Sequence, residues 1–349
     1  MKVLKKVLNT PKSEFVAVYG RRRIGKTFLI DTVYSKDKFF EVTGLHNGSL
    51  TDQLEHFHSM VLAQWKAKKK LSKPKSWFEA FQQLETFILS SRSKKKKVIF
   101  IDEFPWMDTP RSKFLMAFEN FWNSFAAKRK DLVVVICGSA AAYMVKRIVK
   151  NKGGLHNRIT EHIKLSPFNL HETEIFLQQK GAKLTRYDIL QLYMIMGGVP
   201  HYLDKINQGE SVAQIVDRLC FETDGPLFNE FENVFESLFS QHDKHVALIK
   251  ALASKKKGLT RKELLSISGL ASGGTLTQIL DELLESGFIG QFYPYKKKVK
   301  DSLYRLTDEF SLFYLKFMQN KKRMGKGTWL SLFKSQSYAT WSGLSFESI

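Results

Sequence analysis

The feature that most constrains the fold of this chain is the octapeptide GRRRIGKT at residues 20–27. It fits the pattern G-x-x-x-x-G-K-[ST], in which glycines let the backbone curl until successive N–H groups point at an anion. The apolar run FVAVY at 15–19 predicts a buried parallel strand before it, and the periodic segment Lys26 to Tyr34 predicts a helix after it. The alternative, a glycine-rich surface turn, gives no reason for Lys-Thr at this place.

We therefore predict that this loop and the residue after it bind nucleotide phosphates. Lys26 is expected to reach the β- and γ-phosphates as a mobile point charge, and the Thr27 hydroxyl to coordinate Mg²⁺. The N-terminus of the helix adds its free N–H groups and the positive end of its dipole. The predicted cofactor-binding residues are Gly20, Arg21, Arg22, Arg23, Ile24, Gly25, Lys26, Thr27 and Phe28.

Two carboxylates follow a second apolar run. The segment VIFI at 98–101 predicts another buried strand, and Asp102 and Glu103 stand at its carboxyl end, where parallel sheets bind their ligands. Asp102 is expected to hold Mg²⁺ through its water shell, and Glu103 to orient and deprotonate the attacking water. An acidic helix N-cap is the alternative, and the phosphate-binding pattern weakens it.

Ser139 and Arg158 complete the predicted catalytic residues. Ser139 follows a third apolar run, LVVVIC at 132–137, and can touch the γ-phosphate or the water. A plain helix N-cap explains Ser139 equally well, because serine is a favoured cap. Arg158 precedes a predicted strand at 159–165 and can act as an arginine finger on a neighbouring subunit, with a surface arginine as the alternative.

Apolar strands alternate with helices up to residue 167, which indicates an α/β domain with a doubly wound parallel sheet. The pattern is then helical over 168–238, with the punctuation Gly-Gly-Val-Pro at 197–200. Residues 239–325 predict three helices followed by two strands that are joined by the basic loop YKKKVK, at 295–300. Three helices and a basic hairpin make a winged helix-turn-helix.

Charge and cysteine content narrow the class of protein. The chain of 349 residues has 55 Lys and Arg against 34 Asp and Glu, a net charge of +21, which predicts attraction to polyanions. A lysine-rich surface without such a partner is the alternative. Cys137 and Cys220 lack metal-ligand spacing and fit a reducing cytosol. Because no run approaches the roughly 20 apolar residues of a membrane span, we expect a cytoplasmic protein without membrane association.

Five segments, GRRRIGKT, VIFIDEFPWM, VVVICGSA, GGLHNRI and GGVPHYL, together resemble the archaeal-type ATPases of the AAA+/STAND branch of P-loop proteins. The first two are the Walker A and Walker B motifs, and the resemblance covers nearly the whole chain. It implies ATP as the nucleotide, an ATPase core at 1–167, an all-helical lid at 168–238 and a winged helix at 239–325. It also implies a sensor role for Ser139, a finger role for Arg158 and a nucleotide-sensing turn at Gly197 to Pro200.

The sequence departs from this family in two places. Members usually have a Gly-Arg-type turn before the first strand that helps to hold adenine, whereas only fourteen residues precede Phe15 here and the turn is absent. Members often continue into a restriction-endonuclease-like region, whose opening resembles WSGLSFE at 341–347. No D/E-x-K pair follows, so we expect residues 326–349 to be the start of a truncated C-terminal region and the chain to lack nuclease activity.

The partner of the winged helix is the most open prediction. The basic residues of its turn and wing, which suit phosphate contacts, are Lys255 to Lys257, Lys296 to Lys298, Lys300 and Arg305. In the recognition-helix candidate that starts at Ser272, the polar residues Thr275, Thr277 and Gln278 can reach base edges. The acidic residues of this helix, which repel phosphates, are Asp281, Glu282 and Glu285. Protein contacts are therefore the alternative to DNA.

We expect a Mg²⁺-dependent ATPase that couples its nucleotide state to double-stranded DNA and forms a homo-oligomer if Arg158 acts between subunits. The alternative is a signalling or scaffold switch that uses the winged helix for protein contacts. A binding-only pseudo-ATPase is disfavoured by Glu103.

Overall fold

The computed structural model describes residues 1–65, 71–150, 153–155, 157–270, 273–295, 302–321, 324–347 and 349. The chain forms two compact units: unit 1 comprises Met1–Gly20 and Gly25–Leu165, and unit 2 comprises Arg21–Ile24 and Ser166–Ile349. The middle of the predicted phosphate-binding loop therefore belongs to unit 2. Among the described residues, the helices are too short or too polar to cross a membrane.

Unit 1 is built on a five-stranded parallel sheet with the strand order β2-β3-β4-β1-β5. Its strands are β1 (Glu14–Tyr19), β2 (Lys38–Thr43), β3 (Lys97–Asp102), β4 (Leu132–Gly138) and β5 (Glu161–Lys164). Strands β1, β3 and β4 are buried along their whole length, as parallel strands covered on both faces must be. The predicted α/β class with a parallel P-loop sheet is confirmed.

The helices of unit 1 cover both faces of this sheet. They are α1 (Lys2–Leu8), α2 (Lys26–Tyr34), α3 (Leu50–Trp65), α4 (Trp77–Ser90), α5 (Phe104–Met107), α6 (Phe114–Asn120) and α7 (Ala141–Tyr143). Because side chains alternate along a strand, Phe15 and Val16 belong to hydrophobic clusters on opposite faces. Helix α6 changes at Phe121–Phe125 into a π-helical segment, and α7 likewise continues as a π-helical segment, Met144–Val149.

Unit 2 is mostly helical and has a small antiparallel sheet of order β6-β8-β7. Its helices are α8 (Leu170–Gln179), α9 (Arg186–Met196), α10 (Pro200–Leu203), α11 (Val212–Val216), α12 (Glu230–Leu238), α13 (His242–Ala253), α14 (Arg261–Ser268), α15 (Gly274–Glu285), α16 (Glu309–Phe313), α17 (Thr328–Leu332) and α18 (Gln336–Phe346). Its strands are β6 (Leu259–Thr260), β7 (Ile289–Phe292) and β8 (Leu303–Leu306). Two π-helical segments, Asp217–Phe221 and Tyr314–Met318, extend α11 and α16.

From α13 to β8 the structure has the three helices and then the two strands that were predicted, and it adds a short strand, β6, between α13 and α14. Thr260 caps α14, and Glu263 bonds back to the cap, so the two residues form a capping box. Ser272, the predicted start of the recognition helix, and residues 296–300 of the predicted basic loop lie outside the described residues. One hydrophobic cluster runs from Leu177 to Trp341. Because this single core spans unit 2, the division into lid, winged helix and C-terminal region remains a prediction.

Candidate nucleotide-binding site

The loop leaves β1 at Gly20 and enters α2 at Lys26. Gly20 has a φ of 150° and Gly25 a φ of 82°, values that glycine adopts without the steric penalty of a Cβ. Gly25 is the N-cap of α2, so the first helical turn, whose N–H groups have no acceptor within the helix, follows the loop directly. Lys26, the first helical residue, is buried. A helix N-terminus and a lysine are thereby placed together at the end of β1.

Thr27 and Asp102 contact each other directly, although 75 positions separate them. The Thr27 hydroxyl donates to Oδ2 of Asp102 at 2.7 Å, and Oδ1 of Asp102 accepts from the Glu103 backbone at 2.9 Å. Asp102 ends β3, two strands away from the β1 end where the loop begins. The hydroxyl and the carboxylate are hard oxygen ligands of the kind that Mg²⁺ prefers.

Glu103 lies at a sharp turn immediately after β3. Its φ of 43° and ψ of 45° place it in the left-handed region, which costs a residue with a Cβ roughly 1–2 kcal/mol. Its carbonyl oxygen would lie 2.6 Å from a Cβ at Gly44, so the close approach requires glycine there. The Glu103 side chain makes no capping bond to α5, which argues against the N-cap alternative.

Ser139 holds the carboxylate of Glu103. Oε2 of Glu103 accepts from the Ser139 backbone N–H at 3.0 Å and from its hydroxyl at 2.8 Å. Ser139 is buried and follows β4, whereas the N-cap of α7 is Ala140. The hydroxyl of Ser139 is thus directed at Glu103 and does not cap a helix. Within the described residues, Oε1 of Glu103 accepts no hydrogen bond.

Cys137 is enclosed near the end of β4, beside these groups. Burial, reinforced by the negative charge of Asp102, raises the pKa of the Cys137 thiol well above its ordinary value. The neutral thiol is a poor nucleophile and a poor metal ligand. Among the described residues there is no group of three or more His, Cys, Asp or Glu side chains arranged to hold a metal. Magnesium does not require one, because water and phosphate oxygens supply most of its ligands.

Arg158 and Phe28 lie at the surface of unit 1. Arg158 is exposed, and its side chain forms neither an ion pair nor a hydrogen bond with the described residues. Phe28, in the first turn of α2, is 74% exposed. The finger role of Arg158 and the phosphate contact of Phe28 remain predictions.

The side chains of Arg21 and Arg23 have partners within unit 2. Arg21 is buried, pairs with the buried carboxylate of Asp308 and lies over the Phe288 ring at 4.5 Å. Nε of Arg23 lies 2.5 Å from Oε1 of Glu230. The loop prediction missed these carboxylates, because Asp308 is 287 positions from Arg21 and neither acid belongs to a recognisable motif. The sequence offered one signal: Asp308 and Glu230 stand in largely apolar segments, which could have suggested that they are buried and paired.

The five-stranded parallel sheet, the loop after β1 and the carboxylates after β3 define a P-loop nucleoside triphosphatase. Residues 1–206 match the family of ATPase domains found predominantly in Archaea. Because the match spans more than half of the chain, this protein belongs to that family. The predicted resemblance is thereby confirmed, and membership supports nucleotide binding and ATP hydrolysis in general.

Individual relatives are distant. An uncharacterized protein of Methanocaldococcus jannaschii is 24% identical over 323 residues, which cover 91% of this chain and 67% of that protein. The Walker-type ATPase of Pyrococcus abyssi superposes with a TM-score of 0.59 at 15% identity, covering 90% of this chain and 95% of that one. The Aeropyrum pernix ORC2 protein, solved with ADPNP and ADP, gives a TM-score of 0.47 at 14% identity over 96% and 94% of the chains. The Pyrococcus abyssi structure shows a shared fold.

Proposed function

We propose that this protein binds ATP with Mg²⁺ at the carboxyl edge of the unit 1 sheet and hydrolyses it in the cytoplasm. The observation that carries the proposal is the 2.7 Å hydrogen bond from Thr27 to Asp102. It joins the last residue of the G-x-x-x-x-G-K-[ST] motif to the acid that ends β3, and both side chains suit Mg²⁺. When bound, Mg²⁺ neutralises charge that develops on the phosphates.

The loop residues bind and orient the phosphates in this proposal. The first-turn N–H groups of α2 and the ammonium of Lys26 supply positive charge beside Thr27. The N–H groups are held in place by the helix backbone, so they need little reorganisation when negative charge moves in the transition state. Asp102, together with Thr27, would hold the Mg²⁺.

Glu103 is the proposed general base. The attacking water forms a bond to the γ-phosphorus, the bond to the leaving ADP oxygen breaks, and a water proton passes to the Glu103 carboxylate. Ser139 holds Oε2 through two hydrogen bonds, which leaves Oε1 available to the water. Orientation of this carboxylate is the proposed role of Ser139.

Phosphate release from ATP tests the proposal. Lys26→Ala is expected to lower the rate by at least about 10²-fold, because it removes a cation that stabilises the transition state. Removal of Mg²⁺ by a chelator should have a similarly large effect. The control is Lys128→Ala, which changes an exposed lysine outside the site. Wild-type turnover in the Lys26 variant, or turnover that survives the chelator, would overturn the assignment.

We further propose that the nucleotide state governs association with double-stranded DNA through a winged helix formed by α13 to β8. The exposed residues Lys255 to Lys257 stand between α13 and β6, and Arg305 lies on β8, close to Lys257. Clustered lysines and arginines of this kind bind DNA phosphates with a strong dependence on salt. Phosphate release should rise with duplex DNA at low salt and rise less at high salt. If duplex DNA leaves the rate of phosphate release unchanged at both salt concentrations, the proposed coupling to DNA is wrong.

A signalling or scaffold switch is the second candidate, and the composition of α15 favours it. This helix carries Asp281, Glu282 and Glu285 but no Lys or Arg, so it is poorly suited to a DNA groove. In that case nucleotide turnover is indifferent to DNA, and α15 presents a protein-binding surface.

Arg158 is proposed to complete the site of a neighbouring subunit in a homo-oligomer. Its exposure and its lack of described partners support this role. Mixing Arg158→Ala with Lys26→Ala provides the test, because a Lys26 variant can lend its Arg158 to a subunit with an intact loop. Recovery of phosphate release in the mixture supports a finger between subunits. An unchanged rate in Arg158→Ala alone removes the finger.

A further inference from the structure

Arg23 occupies a backbone conformation that is costly for arginine. Its φ is 72°, in the left-handed region, where a residue with a Cβ loses roughly 1–2 kcal/mol. Gly25, two positions later, has a φ of 82° but pays no such penalty. Backbone turns of this kind direct successive N–H groups toward a bound anion. Something other than the local sequence must therefore hold residue 23 in place.

Three contacts within unit 2 hold Arg23. Its guanidinium pairs with Glu230, and its Nη1 lies 2.7 Å from Nε2 of His201. The backbone N–H of His201 also donates to the Arg23 carbonyl at 3.3 Å. Both the side chain and the main chain of Arg23 are thus held by residues of unit 2.

The two holding residues are themselves well supported. Glu230 is buried at the start of α12 and accepts a hydrogen bond from the Tyr202 hydroxyl at 3.0 Å. His201 follows Pro200, which starts α10. Burial and the nearby positive charge of Arg23 lower the pKa of His201, so the neutral ring can accept a hydrogen bond from the guanidinium. The other charged groups that act on this ring are Lys205, Asp204 and Arg22.

We propose that Glu230 and His201 are positioning residues of the phosphate-binding loop. They keep Arg23 in the left-handed conformation in which the loop receives phosphates, and they do so without touching the nucleotide. The inference rests on the proposed nucleotide site. It adds that phosphate affinity depends on an imidazole and a carboxylate that lie about 180 and about 210 positions after Arg23 in the sequence.

Glu230→Gln tests the proposal, with Glu232→Gln as the matched control. Glu232 lies on the same helix but contacts Tyr314 and Lys321, not the loop. Titration with fluorescent analogues of ATP and ADP should show that Glu230→Gln raises both dissociation constants about tenfold, the size of the conformational penalty. KM should rise with them while kcat changes little, and Glu232→Gln should bind as the wild type does.

Two substitutions at residue 23 separate loop geometry from general loss of structure. Glycine accepts a φ of 72° freely, whereas alanine does not. Arg23→Gly should therefore bind nucleotide about tenfold more tightly than Arg23→Ala. In the Arg23→Gly background, Glu230→Gln should have no further effect.

The outcomes separate this inference from the proposed function. Absence of nucleotide binding by the wild type overturns the proposed function. Binding by the wild type together with equal binding by Glu230→Gln overturns the positioning role alone. Equal nucleotide affinities of Arg23→Gly and Arg23→Ala also overturn the positioning role. So does a loss of affinity in Glu230→Gln that persists when residue 23 is glycine. Thermal unfolding of each variant shows whether it is folded at the assay temperature.

Discussion

The two halves of the phosphate-binding loop are held by different kinds of contact. Gly25 to Thr27 continue into α2, and Thr27 bonds to Asp102 at the edge of the unit 1 sheet. Arg21 and Arg23 instead pair with carboxylates of unit 2. Gly25 to Thr27 are fixed by backbone geometry and by hydrogen bonds close to the proposed chemistry. Arg21 and Arg23 are fixed by ion pairs with buried carboxylates, and loss of one member of a pair leaves the other charge without compensation.

This difference predicts different consequences for substitutions. Changes at the strand ends of unit 1 should alter the rate of hydrolysis and leave stability nearly intact. Changes among the buried acids of unit 2 should alter the free energy of unfolding and, at Glu230, the affinity for nucleotide, while kcat changes little. A strand-end variant of unit 1 that changes mainly the free energy of unfolding would contradict this difference, and so would a variant of a buried acid in unit 2 that changes mainly kcat.

Glu103→Gln should produce the largest effect. It removes the proposed base while keeping the shape of the side chain, so kcat is expected to fall about 10³-fold. Binding of ATP should be retained, because the loop and Asp102 are unchanged. Single-turnover phosphate release and equilibrium nucleotide titration measure the two quantities. Glu55→Gln, which changes an exposed glutamate paired with Lys73, is the control. Normal turnover in Glu103→Gln would refute the assignment of the base.

Asp308→Asn should give the next largest effect, on the stability of unit 2. Arg21 and Asp308 are both buried, and removing one partner of a buried ion pair costs about 3 kcal/mol or more. Asparagine can still cap α16 with its one acceptor oxygen, so the loss reports the ion pair and hydrogen bond with Arg21. Urea unfolding measures it, with the exposed Asp243→Asn as the control. A loss no larger than that of Asp243→Asn would show that Arg21 does not need this carboxylate.

The positions of the unit 1 groups were predictable because short apolar runs mark β1, β3 and β4. Parallel strands expose their carboxyl ends at one edge, which brings Thr27, Asp102 and Ser139 together without further information. The bond from Ser139 to Glu103 was not predicted, because it depends on the left-handed turn at Glu103. Periodicity indicates that a helix is present, but it did not indicate the π-helical continuation at 121–125.

The partners of Arg21 and Arg23 in unit 2 could not be predicted from sequence patterns, for a physical reason. An ion pair between residues 287 positions apart leaves no periodic signal, and any of the 34 acidic residues could have been the partner of Arg21. His201 was noticed only as part of GGVPHYL, not as a partner of Arg23. The local capping box at Thr260, by contrast, depends on two residues three positions apart, a spacing that is visible in the sequence.

Glu309→Gln should reveal a smaller, pH-dependent effect beside Asp308. Burial and the charge of Asp308 raise the pKa of Glu309 to about 7, above the ordinary value of 4.5. The protonated side chain is therefore compatible with the fold at low pH, and its ionisation costs stability as the pH rises from about 4.5 to about 7. Glutamine removes this cost, so the variant should gain about 2 kcal/mol at pH 8 and little at pH 4.

The opposite pH dependence is expected at Glu263, which makes it a useful control. Hydrogen bonds from Lys255 and Thr260 lower the pKa of Glu263 to about 2. Its ionised form favours the fold, so its contribution is present above the unfolded pKa and is lost as the pH falls toward 2. Urea unfolding at pH 4, 6 and 8 measures the stability of Glu309→Gln and of Glu263→Gln. If Glu309→Gln changes stability equally at the three pH values, its carboxyl is not the titrating group.

Ser139→Ala should have the smallest effect and the most specific signature. It removes one of two hydrogen bonds to Oε2 of Glu103 and leaves the backbone N–H in place. A bond to a charged group contributes about 1.5 kcal/mol, so kcat should fall about tenfold while ATP affinity stays the same. If Ser139 acts through Glu103, adding Ser139→Ala to Glu103→Gln should cause no further loss. A full additional tenfold loss in the double variant would instead place the hydroxyl on the phosphate or the water, and Ser139 would then belong with the residues that touch the nucleotide.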